Sequence, residues 1–179
     1  MGRTSTRRPT AKSFVYAGVI AALIGVALTA TNAVAATVNV VIHAQPIKPL
    51  TLTKVQDLDL GTVTLAPGSW SNGVVSISQS GVLSCTNANV ICTGATKAAQ
   101  YNVQGSSQQS VYISAPNVTL TKEGDPTQTL TLITDAPASI MLKNSGQKGT
   151  DFSIGGSITL KAATPAGTYL GTFNVTVNY

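Results

Sequence analysis

Of 179 residues, 43% are hydrophobic, 9% charged and 5% aromatic, which is apolar enough to bury a core and too weakly charged for a disordered tail. The formal charge of +5 reflects 11 Lys and Arg against 6 Asp and Glu, yet Arg3, Arg7, Arg8 and Lys12 all lie near the start; from residue 36 onward the sequence holds seven Lys, no Arg and all six acids, leaving +1. No guanidinium remains there to grip a phosphate, so nucleic acid is not an expected partner, and a single His (His43) with a single Glu (Glu123) argues against acid–base catalysis: no enzyme, catalytic residue or cofactor is expected.

The basic opening 1–13 precedes an uncharged apolar run, 15–28, and the small-residue site Ala33-Val34-Ala35. This is the order of a secretory signal peptide cleaved before Ala36, and the run is shorter than the ~20 residues of a membrane-spanning helix. The expected product is secreted, passing through the periplasm to the exterior or cell surface, with no stable membrane span after cleavage. Arg7-Arg8 is followed by Pro9-Thr10, where a twin-arginine signal carries apolar residues, so the general export route is favoured. An oxidising destination makes Cys85 and Cys92 a predicted disulfide, with six residues between them rather than the two of a redox or zinc motif.

Period-two alternation bounded by Gly, Pro, Asn and Ser recurs from residue 36 to the end, with no sustained helical period. Predicted strands occupy 37–44, 50–54, 61–65, 73–79, 100–104, 111–115, 129–134, 156–161 and 168–179. Pro67-Gly68, Asn72-Gly73, Gly105-Ser106, Gly124-Asp125-Pro126, Gly155-Gly156 and Pro165-Ala166-Gly167 are read as the turns. Short strands at this spacing predict an all-β, two-sheet antiparallel sandwich in one domain. The organisation is a signal peptide 1–35, an N-terminal extension 36–46 and a sandwich 47–179.

The two ends of the exported chain match in character. In the last strand Tyr169, Gly171, Phe173, Val175, Val177 and Tyr179 share one face against Leu170, Thr172, Asn174, Thr176 and Asn178, with no charge guarding its edge. In the first, Val38, Val40, Ile42 and Ala44 share a face, and Gln45-Pro46 and Pro49 cut the segment off. Either this segment is an ordinary first strand of its own domain, or it leaves to complete the sheet of a neighbouring copy. In the second case Val38, Val40 and Ile42 are the donor knobs. Phe173, Val175, Val177 and Tyr179 then line the acceptor face.

The run Ile154-Gly155-Gly156-Ser157-Ile158-Thr159-Leu160 and the ending Pro165-Ala166-Gly167-Thr168-Tyr169-Leu170-Gly171-Thr172-Phe173-Asn174-Val175-Thr176-Val177-Asn178-Tyr179 resemble the close of a bacterial family of secreted domains of unknown function. Residues 50–62, from Leu50 to the Asp57-Leu58-Asp59-Leu60-Gly61-Thr62 stretch, are similar to that family's opening. The family looks akin to spore-coat-U-like proteins and chaperone–usher pilins. The resemblance implies an immunoglobulin-like or pilin-like sandwich, a structural subunit of a surface fibre, a homopolymer built by donor-strand complementation, and a periplasmic chaperone with an outer-membrane usher as partners.

Other candidates are weaker. Asp57 with Asp59 and Glu123 with Asp125 lack the dense oxygen-bearing loop calcium needs, so no metal site is expected. No Gly-x-Ser-x-Gly elbow accompanies His43. Trp70 offers the alternative function, a monomeric secreted binding module for a glycan; against this stands a Trp that caps the sandwich with its N–H bonded to a loop carbonyl.

Overall fold

The computed structural model describes residues 38–143 and 148–179; the signal-peptide reading, Ala36 and Thr37 lie outside the described residues. Among those described there is no helix, and the chain is all-β. The strands are β1 (Thr51–Gln56), β2 (Thr62–Leu65), β3 (Gly73–Ile77), β4 (Leu83–Cys85), β5 (Val90–Thr93), β6 (Ala99–Gln104), β7 (Ser110–Ser114), β8 (Val118–Lys122), β9 (Asp125–Asp135), β10 (Ser139–Met141), β11 (Thr150–Leu160), β12 (Tyr169–Leu170) and β13 (Thr176–Asn178). Every ladder is antiparallel, and the curled sheets form the expected β-sandwich.

Alternation accounts for the individual strands. In β6, Ala99, Tyr101 and Val103 are buried while Gln100, Asn102 and Gln104 are not; in β9, Leu132 is buried between exposed Thr131 and Ile133. One sheet runs β1-β6-β11-β9-β8-β12, with β3 joining β11 to β4; a second runs β10-β7-β13, and β2 pairs β5. The pivot is β11. Residues Thr150–Ile154 pair with β6 and Gly156–Leu160 with β3, while 155–158 also pair with β9.

Gly155-Gly156, expected as a turn, lies inside that strand. The reason is steric. A Cβ on Gly155 would overlap the Ile77 carbonyl oxygen, so glycine lets β3 approach β11 rather than reversing the chain.

Two apolar clusters fill the sandwich. Ala99, Tyr101, Val103, Val111, Ile113, Leu142, Phe152 and Ile154 form the first, and Val75, Val90, Val118, Leu132, Ile158 and Leu160 the second. Leu58 and Phe173 pack against both. The Cys85–Cys92 disulfide, with Cα atoms 6.5 Å apart, ties β4 to β5. It therefore joins the large sheet to the β2–β5 ribbon.

Three expectations need correction. Residues 38–49 form no strand, because a strand exists only where a ladder forms, and alternation alone supplies no partner. β4, β5, β8 and β10 were not expected; all are five residues or shorter. The single strand expected over 168–179 is broken into β12 and β13.

Ile154 is fully buried, so Ile154→Ala is expected to cost about 2–5 kcal/mol, read as a lowered urea midpoint. Exposed Thr131→Ala is expected to stay within about 0.5 kcal/mol of the parent.

Candidate functional site

The broken last strand has a local cause. β7 and β8 follow one another through Ala115-Pro116-Asn117, and the C-terminal segment runs antiparallel beside both. Tyr169 and Leu170 pair with Lys122 and Thr121, and Thr176, Val177 and Asn178 pair with Ser114, Ile113 and Tyr112. Between these ladders, 171–175 stands opposite 115–120, so the registers differ by one residue. Continuing the β7–β13 register would set Asn174 against Pro116, which has no N–H to donate. The corner at 115–117 is held from β9: the Thr134 hydroxyl donates to the Ala115 carbonyl at 2.6 Å, and the Thr134 N–H to Asn117 Oδ1 at 3.1 Å.

The Ile113 N–H donates to the Ala138 carbonyl at 3.0 Å, away from β13. Bond-exchanging and non-bonded pairs alternate in an antiparallel ladder. Thr176–Ser114 and Asn178–Tyr112 are thus the exchanging pairs, and the backbone groups of Val175 and Val177 face the other flank. Both β12 and β13 are outermost in their sheets, so that flank is unpaired among the described residues. β1 is the outermost strand at the far end of the large sheet. Leu50 and Leu52 pack on the first cluster together with Phe173, Val175 and Val177, each only half-buried.

Tyr179 closes one end of this flank. Its hydroxyl donates to the Lys48 carbonyl at 2.6 Å and accepts from the Ser106 N–H at 2.9 Å, while the Lys48 N–H donates to Ser106 Oγ at 2.7 Å. Gly105 makes room for it: a Cβ there would lie 2.6 Å from the Tyr179 oxygen and 2.7 Å from Leu50 Cδ2. Lys48, Gly105, Ser106 and Pro116 were not singled out from sequence. Only Gly105-Ser106 left a trace, as a turn signal.

The predicted donor residues are all strongly exposed, Val38 at 84%, Val40 at 78% and Ile42 at 86%, as is Val41 at 74%. His43 is exposed as well. Trp70 is partly buried against the second cluster, and its indole N–H donates to the Ala66 carbonyl at 2.9 Å. Its polar handle is therefore engaged within the domain.

The carboxylates have local partners. Asp57 Oδ1 accepts from Lys54 Nζ at 2.7 Å, and this hydrogen bond raises the Lys54 pKa. Asp59 Oδ1 accepts the Gly61 N–H at 2.8 Å. Asp125 Oδ1 accepts from the Thr127 hydroxyl at 2.6 Å and from its N–H at 3.2 Å, which lowers its pKa. Burial pushes the Tyr101 phenol above its ordinary 10.0. Among the described residues no group of three or more His, Cys, Asp or Glu could hold a metal ion.

Residues 50–179 match the family described as a domain of unknown function, DUF4402. The chain belongs to this family. The match takes in every strand from β1 to β13, so the open flank and the Tyr179 closure both lie within the DUF4402 domain. No curated protein and no solved structure matches the chain.

Tyr179→Phe is expected to destabilise the domain by about 1 kcal/mol through its lost hydrogen bonds, measured by thermal unfolding. Tyr112→Phe, at a ring 62% exposed, is expected to leave the midpoint unchanged. Replacing both cysteines by serine is expected to cost about 2–3 kcal/mol, as a short closed loop constrains the unfolded chain only modestly; denaturant titration with and without reductant checks this.

Proposed function

We propose that the protein is a structural subunit of an extracellular fibre or pilus-like surface structure, assembled by donor-strand complementation. Residues 36–44 of one copy add to the open C-terminal flank of the next. Val38, Val40 and Ile42 enter above Phe173, Val175 and Val177, and Tyr179 marks the end of the row. The observation that carries this reading is the coexistence in one chain of a strongly exposed apolar alternation at 38–42 and an edge whose inward row is only half-buried. An edge with free backbone groups beside apolar side chains is a template for another strand.

The likeness to spore-coat-U-like proteins and chaperone–usher pilins belongs to this proposal, as do export through the periplasm and handling by a chaperone and an outer-membrane usher. The disulfide supports an oxidising compartment.

Magnitudes indicate which parts of the donor matter. Burying the three knobs gains about 1.5–3 kcal/mol each, whereas fixing one residue's backbone costs about 1–2 kcal/mol. Over nine residues, side-chain burial alone falls short. Ladder bonds must add to it, and no knob is dispensable.

The full chain with its leader, expressed in a bacterium, is expected to yield filaments by electron microscopy and heat-resistant ladders on gels. Deletion of 36–44 is expected to leave monomers, and Val40→Asn to cut polymer yield at least tenfold. Filaments of normal length from the deleted chain would refute the assignment.

A further inference from the structure

We propose that Pro46 and Pro49, with Lys48 clamped between them, direct the leading segment to a second copy by denying it its own flank; this rests on the strand-exchange reading. For residues 38–44 to lie along the flank of their own domain, the chain must reverse between Ala44 and β1. That stretch is Gln45-Pro46-Ile47-Lys48-Pro49-Leu50. It contains none of the Gly, Asn or Asp residues that primed hairpin turns use. Gln45 and Lys48 each precede a proline, which biases them towards extended backbone.

A turn over 45–48 would place Pro46 at its second position, where proline is tolerated. Type II then requires positive φ at Ile47, which is β-branched and disfavoured there. Type I is closed by the Lys48 N–H, and that group is held by Ser106 Oγ at 2.7 Å. The Lys48 carbonyl is taken by the Tyr179 hydroxyl at 2.6 Å. Pro49 has no N–H. Neither Lys48 nor Pro49 therefore offers a group to close a hairpin, whereas entry of the segment into another molecule needs no reversal at all.

The test is a chain given a hairpin, Pro46→Asn with Ile47→Gly and Pro49→Thr, since Asn-Gly is the strongest two-residue hairpin signal. Size exclusion of material exported with its leader is expected to give at least a tenfold rise in monomer over the parent. That monomer is expected to melt above the chain lacking 36–44, showing that its flank is filled and that it is folded. A second variant, Ser106→Ala, frees the Lys48 N–H and is expected to raise the monomer fraction about two- to threefold. If both variants polymerise as the parent does, the proposal is overturned. That outcome is distinct from failure of strand exchange itself, in which the parent polymerises equally well with 36–44 removed.

Discussion

The arrangement of the molecule turns on a ladder that cannot continue. Beside Ala115-Pro116-Asn117 the C-terminal segment slips by one residue, and 171–175 belongs to no sheet. Proline at 116 removes the donor that the next pair would use. The segment thus leaves β8, crosses and joins β7, carrying Phe173 into contact with both apolar clusters. Together with Leu58, Phe173 thus connects the two halves of the interior, because the backbone above it changes partners.

The same crossing produces an outward flank. Even-numbered residues from 176 onward bond to β7, and the odd-numbered backbone groups point away from it. Folded proteins usually bury, charge or bulge such an edge. Here the alternating neighbours are Thr172, Asn174, Thr176 and Asn178, none of them charged. At one end the Tyr179 hydroxyl joins the last residue to Lys48 and Ser106, so the root of the leading segment and the end of the last strand are fixed in one small network. In the proposed reading, donor and acceptor are set by shared geometry rather than by separate devices.

Much of this was legible in the sequence because period-two alternation reports burial directly. The inward row Phe173, Val175 and Val177 stands out for that reason, whereas Val38, Val40 and Ile42 alternate as clearly yet are exposed, with no ladder among the described residues to cover them. The break between β12 and β13 does not stand out, since Gly171 to Val175 keeps its alternation while losing its ladder: side-chain period records which face is buried, not which backbone is paired. Gly155-Gly156 misled in the opposite sense, as the two glycines mark close approach of β3 and not a reversal. The Lys48–Ser106–Tyr179 network joins residues up to 131 positions apart, a separation at which local pattern carries no information.

Amide hydrogen exchange at Val175 and Val177 tests the account most directly, compared between residues 45–179 alone and assembled material. In the isolated domain both amides are expected to exchange almost unprotected, while Thr176 and Asn178, bonded to β7, are slow in either state. Assembly is expected to slow Val175 and Val177 by about 100-fold or more. Protection of these two amides already in the isolated domain, or no change on assembly, would contradict an open flank completed by a second copy.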